Sequence, residues 1–204
     1  SGTKWRATYT PSVTCEVSTV VFSVDRMEDP AGNIVDQAQT FTTDEVNTAT
    51  VKIDATPPKL KTGTVSFTTA DTSNDDDPDL TSTNTLLAKN GEAIYFDFET
   101  EERIENPSVT INGSALSSLS DVSPLDSTGT KWRATYTPSV TGEVTTVVFS
   151  VDRMEDPAGN IVDQFETFTT DEVNSATVKI DATPPKLKTG TVSFTTADTS
   201  NDDD

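Results

Sequence analysis

Histidine is absent from this 204-residue chain, cysteine occurs once, and 14 basic residues face 34 acidic ones. Each shortage removes a class of function. Without histidine the chain lacks the commonest general base and the usual zinc ligand. A lone Cys15 cannot build an internal disulfide framework, which leaves a cross-link between chains as its one covalent use. The net charge of −20 argues against nucleic acid as a partner, since phosphate binding takes clustered Lys and Arg. No apolar run approaches the length that spans a bilayer, so no membrane insertion is expected in this segment. Gly-rich phosphate loops, the twelve-residue EF-hand spacing and amphipathic stretches of helical period are missing too. Glu101 and Glu102 are paired carboxylates, but neighbours in one loop do not face a bond from two sides as acid/base catalysis requires. No enzyme is expected.

What is present is a repeat. Residues 1–77 align without gaps onto 128–204, and only six of the 77 positions differ: Ser1/Thr128, Cys15/Gly142, Ser18/Thr145, Ala38/Phe165, Gln39/Glu166 and Thr48/Ser175. Near-identity at surface and core positions alike marks a tandem array with a 127-residue period. The chain is expected to be a piece of something longer, running from mid-repeat to mid-repeat. Asp54-Ala-Thr-Pro-Pro58 and Asp181-Ala-Thr-Pro-Pro185 read as stiff links, because paired prolines fix φ and cannot pair within a sheet. The expected divisions are therefore 1–56, the last part of one module; 57–183, a complete module; and 184–204, the first strand and acidic loop of the next.

Period-two alternation runs through short segments bounded by Gly, Pro, Asn and Asp. Val65 and Phe67 predict a first strand, followed by an acidic loop from Asp71 to Asp79. Leu86 and Leu87 precede a turn at Asn90-Gly91. Ile94, Phe96 and Phe98 alternate with Tyr95 and Asp97, and Val109 and Ile111 end at Asn112-Gly113. Trp132, Ala134 and Tyr136 predict another strand, and so do Val147, Phe149 and Val151. Asp152 to Asn160 reads as a loop. Ile161 to Phe168 and Thr177 to Ile180 supply the last pairing, with Lys179 outward. About seven strands per module, with 32% hydrophobic residues for a thin core, predict an all-β fold of β-sandwich modules in tandem. Trp132 and its counterpart Trp5 are expected in the core, with sugar stacking as the other use of such rings. Asn112-Gly113-Ser114 also fits a glycosylation acceptor.

Trp132-Arg-Ala-Thr-Tyr136, Val147-Val-Phe-Ser-Val-Asp152, Asp156-Pro-Ala-Gly-Asn160 and Val178-Lys-Ile-Asp181 with Pro184-Pro185 together resemble the bacterial Ig-like repeats of giant secreted adhesins. Those are the long repeats-in-toxin and biofilm-associated surface proteins. The chain departs from that pattern in its acidic insertion, Asn74 to Leu80, and in a period longer than the ~100 residues of such sandwiches. The resemblance implies an Ig-like topology and an extracellular, bacterial cell-surface location. It also implies a structural role as spacer or fibre, whose partners are neighbouring modules of the same chain or, in a fibre or lattice, neighbouring chains. A carbohydrate- or cell-binding module is the alternative.

Such a topology gathers the Glu99 to Glu105 loop and the Asp152 to Asn160 loop beside the incoming link. Asp54, Glu101, Glu102, Asp152, Glu155 and Asp156 then become candidate ligands for Ca²⁺, which takes six to eight oxygens in flexible geometry. Asp25, Glu28 and Asp29 are their counterparts in the other copy. Asp181, with Asp75, Asp76 and Asp77 of the acidic loop, would serve the next junction. Two plainer readings stand beside this one: Asp156 and its neighbours cap a turn through Asx hydrogen bonds, and the acidic loop is a solvated face.

Overall fold

The computed structural model describes residues 4–12, 14, 16–70, 84–116, 121–163 and 166–194. Every regular element among them is a strand, and no helix is long and apolar enough to cross a membrane. The acidic loop with Asp75, Asp76 and Asp77, and Cys15, lie outside the described residues.

Four short strands fall in the first copy: β1 (Phe22–Val24), β2 (Met27–Glu28), β3 (Ile34–Val35) and β4 (Gln39–Phe41). Eleven follow in 57–183: β5 (Ser66–Thr69), β6 (Thr85–Lys89), β7 (Ile94–Glu99), β8 (Glu105–Ile111), β9 (Ser114–Leu116), β10 (Val122–Pro124), β11 (Lys131–Tyr136), β12 (Phe149–Glu155), β13 (Ile161–Val162), β14 (Glu166–Phe168) and β15 (Thr177–Asp181). One sheet runs β10-β11-β7-β5. The other runs β13-β12-β8-β9, with β14 also on β12. Their apolar faces meet. Phe67 of β5 stacks on Phe149 of β12 at 4.2 Å, and Phe149 lies 5.2 Å from Phe96 of β7. Ile94, Phe96, Phe98, Val109, Ile111, Val151, Val178 and Ile180 fill the rest of one buried cluster. Two sheets sharing one core make the all-β fold consistent with a β-sandwich.

Among the described residues of this module, the expected strand from Ile161 to Phe168 is divided into β13 and β14, and β9 and β10 fall where no strand was expected. β12 also extends further than expected. Asp152 to Glu155 continue it as strand against β8, with register shifts between Val151 and Arg153 and between Arg153 and Glu155. Only Asp156 to Asn160 turn the chain. Such irregularity lets a strand bend while it keeps pairing. Nor does β15 pair with the 161–168 segment: it runs parallel to β6, Thr177 opposite Thr85 and Asp181 opposite Lys89. A parallel partner carries no hairpin signature, so only tertiary structure reveals it. Asn112-Gly113 forms the β8–β9 turn with φ of 48° and 79°, the two positive values of a type I′ hairpin.

The first copy repeats the local pairing of the second. Phe22 opposes Phe41 as Phe149 opposes Phe168, and Val17 bridges Ile53 as Val144 bridges Ile180. Its burial is another matter. Trp132 is 4% exposed between β7 and β10, whereas Trp5, expected in a core, is 92% exposed and outside any strand. The difference is one of partners: Trp132 lies against Phe98 of β7, and among the described residues no strand pairs beside Trp5.

The chain comes into the complete module beside Thr100, where Leu60 bridges Thr100 and the Lys61 amide donates to the Glu99 carbonyl at 2.9 Å. It leaves at Asp181, beside Lys89 at the other end of β7. These are opposite poles, separated by the six residues of β7, or about 20 Å of strand.

Phe149→Ala should lower the stability of the module by about 3–5 kcal/mol in urea unfolding, since it empties the space between the sheets. The same change at Phe22, outside that core, should move the transition by less than about 0.5 kcal/mol.

Candidate metal centre at the junction

Three carboxylates meet where the first copy touches the complete module. One oxygen each from Asp54, Glu102 and Asp156 lies within 4.8 Å of the others. Asp54 is carried by Ile53, which Val17 holds through a pair of 2.9 Å backbone hydrogen bonds. Glu102 sits in the turn between β7 and β8, which the Lys59 carbonyl pins by accepting the Glu101 amide at 3.0 Å. Asp156 opens the turn after β12 and is 1% exposed. Its Oδ1 accepts the Ala158 and Asn160 amides at 2.8 and 2.9 Å, and its Oδ2 accepts Asn160 Nδ2 at 2.7 Å. Gly159 takes φ of 89° to close the turn, a conformation that costs other side chains more.

Asn160 also ties the two units together. Its Nδ2 reaches the Asp54 carbonyl at 3.2 Å and the Asp54 carboxylate at 3.3 Å. Glu16 supports the link from behind, its Oε1 accepting from the Thr56 hydroxyl at 2.7 Å and the Ala55 amide at 3.2 Å. Glu16 is the residue that sequence reasoning missed. Its signal was its place beside Val17, the strand partner of the Ile53 that precedes Asp54. Glu16, Asp54, Glu102 and Arg103 line one cleft of ≈ 610 Å³. Arg103 is paired instead with Glu105 at 3.3 Å. Among the described residues no ion pair neutralises the three clustered carboxylates.

Repulsion shows in the acidities. Burial first, then the charges of Asp54, Asp156, Glu16 and Glu101, push the Glu102 carboxyl up. The Thr56 amide pulls the Asp54 carboxyl down, but burial, Glu16 and Asp156 outweigh it and leave it raised. Hydrogen bonds from the Thr56 hydroxyl and the Ala55 amide hold Glu16 low. The donor set suits a hard cation: ligand oxygens on opposite sides of a Ca²⁺ at ~2.4 Å stand ~4.8 Å apart.

The other candidates lie elsewhere. Asp152 accepts from Ser150 Oγ at 2.5 Å and from Thr110 Oγ1, beside its own strands. Glu155 pairs with Arg153 at 2.8 Å, and Glu101 stays outside the trio. Asp25 bonds Ser23, Glu28 pairs with Arg26, and Asp29 closes its turn onto Asn33 as Asp156 does onto Asn160. The Asx-capped turn therefore forms in both copies, and at Asp29 it forms outside any cluster of three carboxylates among the described residues. Asp181 accepts the Thr183 amide at 2.8 Å at the far pole.

Comparison with protein-family models, with curated proteins and with solved structures finds no significant match.

A raised carboxyl contributes stability that is complete below its unfolded pKa and lost as pH rises through the folded value. In chelator, Glu102→Gln, which mimics the protonated acid, should therefore raise Tm at pH 7. The advantage over the parent should close as pH falls toward about 4. An equal Tm difference at both pH values would contradict this charge assignment.

Proposed function

We propose that this chain is a segment of a structural spacer, in which Ig-like modules are strung end to end and Ca²⁺ stiffens each junction. The observation that carries the reading is the pair of opposite poles: Leu60 pairs beside Thr100 and Asp181 beside Lys89. A module threaded in that way passes its neighbours on in line, so adding repeats adds length. The same threading supports divisions at 1–56, 57–183 and 184–204. Support for an Ig-like arrangement comes from the strand orders β10-β11-β7-β5 and β9-β8-β12, with β15 parallel to β6 at the margin.

Ca²⁺ would take Asp54, Glu102 and Asp156, with Glu16 holding the Asp54 link from behind. Glu102 and Asp156 belong to the complete module and Asp54 to the unit before it. An ion bound by both sides favours the arrangement in which both are in reach, and so shifts a hinged population toward a rod. Acidification would release it, because each ligand must give up its proton. A long acidic array of this kind suits an extracellular or bacterial cell-surface protein that holds a terminal binding domain away from the cell. Neighbouring modules of the same chain are its first partners.

Small-angle scattering with millimolar Ca²⁺ and with chelator tests the proposal. The maximum dimension should fall when Ca²⁺ is removed, Asp54→Ala should reproduce that fall with Ca²⁺ present, and calorimetry should find one site with Kd in the range of about 10⁻⁴–10⁻³ M typical of extracellular modules. Identical profiles in both buffers would reject the cation and leave the prolines alone to set the link.

A further inference from the structure

Two Asn-Gly pairs stand in turns of the complete module, and their surroundings differ. At Asn90-Gly91 the groups that could react are engaged. Asn90 Nδ2 donates to the Val140 carbonyl at 2.7 Å, its Oδ1 accepts the Val140 amide at 2.9 Å, and the Gly91 amide donates to the Pro138 carbonyl at 3.0 Å. At Asn112-Gly113, the turn between β8 and β9, neither the Asn112 side chain nor the Gly113 amide has a hydrogen-bond partner among the described residues. Asn112 is held by its backbone amide, which donates to the Val148 carbonyl at 2.7 Å. All four residues are exposed, so hydrogen bonding rather than burial sets the two turns apart.

The side chain of an Asn and the backbone nitrogen that follows it close a five-membered ring, and a following Gly has no Cβ to hinder the approach. This chemistry is one reason that Asn is thermolabile. A Cβ built on Gly113 would meet nothing within 4 Å, so the turn has room to close that ring. A bond forms from the Gly113 nitrogen to Asn112 Cγ, and Nδ2 leaves as ammonia with the proton that the Gly113 amide gives up. Water then opens the cyclic imide at one of its two carbonyls. Opening at Cγ leaves aspartate. Opening at the backbone carbonyl leaves isoaspartate, whose main chain runs on through Cβ and Cγ. One water is consumed and one ammonia released, with no oxidant or reductant.

We propose that Asn112-Gly113 is a site of spontaneous modification by water, at which the turn becomes isoaspartate and β9 is released from β8. The intact turn is a two-residue loop with φ of 48° and 79°, and it sets the register in which Val109 opposes Leu116 and Ile111 opposes Ser114. An extra main-chain atom and a new carboxylate do not fit that loop, and register follows loop length. β9 lies at the margin of its sheet, so it leaves while β8 stays paired with β12. Leu116 is 9% exposed and belongs to the core cluster, so its departure opens one edge of the core. The change is local to the module and needs neither a cation nor a neighbouring unit.

Peptide mapping by mass spectrometry of the 204-residue chain, aged in mildly alkaline buffer, tests this. The Asn112 peptide should lose its amide roughly tenfold or more faster than the Asn90 peptide, because Asn90-Gly91 must first break its hydrogen bonds. In denaturing urea the two should react at similar rates. Fragmentation should place isoaspartate at position 112, and residues 114–116 of the aged chain should exchange their amide hydrogens faster than those of fresh protein. Fresh Asn112→Asp, which brings the charge without the extra main-chain atom, should keep that exchange slow. Equal rates at Asn90 and Asn112 in the folded chain, or unchanged exchange over 114–116 once isoaspartate has formed, overturns the proposal.

Discussion

The packing of Phe67, Phe96 and Phe149 between two sheets is the contact on which everything else here depends. A sheet of two- to seven-residue strands with one apolar face gains little until that face leaves water. In the complete module Trp132, Phe149 and Val151 are buried; in the first copy, whose described residues include no counterpart of β7 or β8, the equivalent Trp5, Phe22 and Val24 are in solvent. Near-identical segments in one chain thus separate local structure from packing. Phe22 pairs with Phe41 as Phe149 does with Phe168, but only the second pair is packed between two sheets.

At the junction, repulsion between like charges governs. Asp54, Glu102 and Asp156 stand within reach of one another with no lysine or arginine paired to them among the described residues, and the cost is distributed over hydrogen bonds from Thr56, Ala158 and Asn160. The Asp156 turn is complete without a third carboxylate, as the isolated Asp29 turn demonstrates. Convergence of the three is therefore a property of the contact between units rather than of either loop. Asn160 makes it specific, because one amide group serves the turn of its own module and the link from the one before.

Much of this was legible in the sequence where the signal is local. The alternation in Ile94–Glu99 and Lys131–Tyr136, the Asn112-Gly113 turn and the Asp54-Ala-Thr-Pro-Pro58 link follow from side-chain period, turn preference and proline's lost donor. Legibility ends where the answer lies far along the chain. The parallel partner of β15 is about ninety residues away at β6; the extension of β12 through Glu155 depends on β8 beside it; and Trp5 follows a buried pattern that has no partner strand to bury it. In the candidate site, Asp54 and Asp156 were legible by their links and turns, whereas Glu16 was not, since it enters only through the pairing of Val17 with Ile53.

The sequence by itself determined the 127-residue period, the strand-forming character of the chain, its turns and its excess of negative charge, because these depend on neighbours and composition. Tertiary structure alone decided which apolar faces are covered and which three of the many carboxylates meet. It also decided at which poles the chain comes in and leaves. Those outcomes depend on contacts between residues up to about a hundred positions apart, for which no local preference exists to be read.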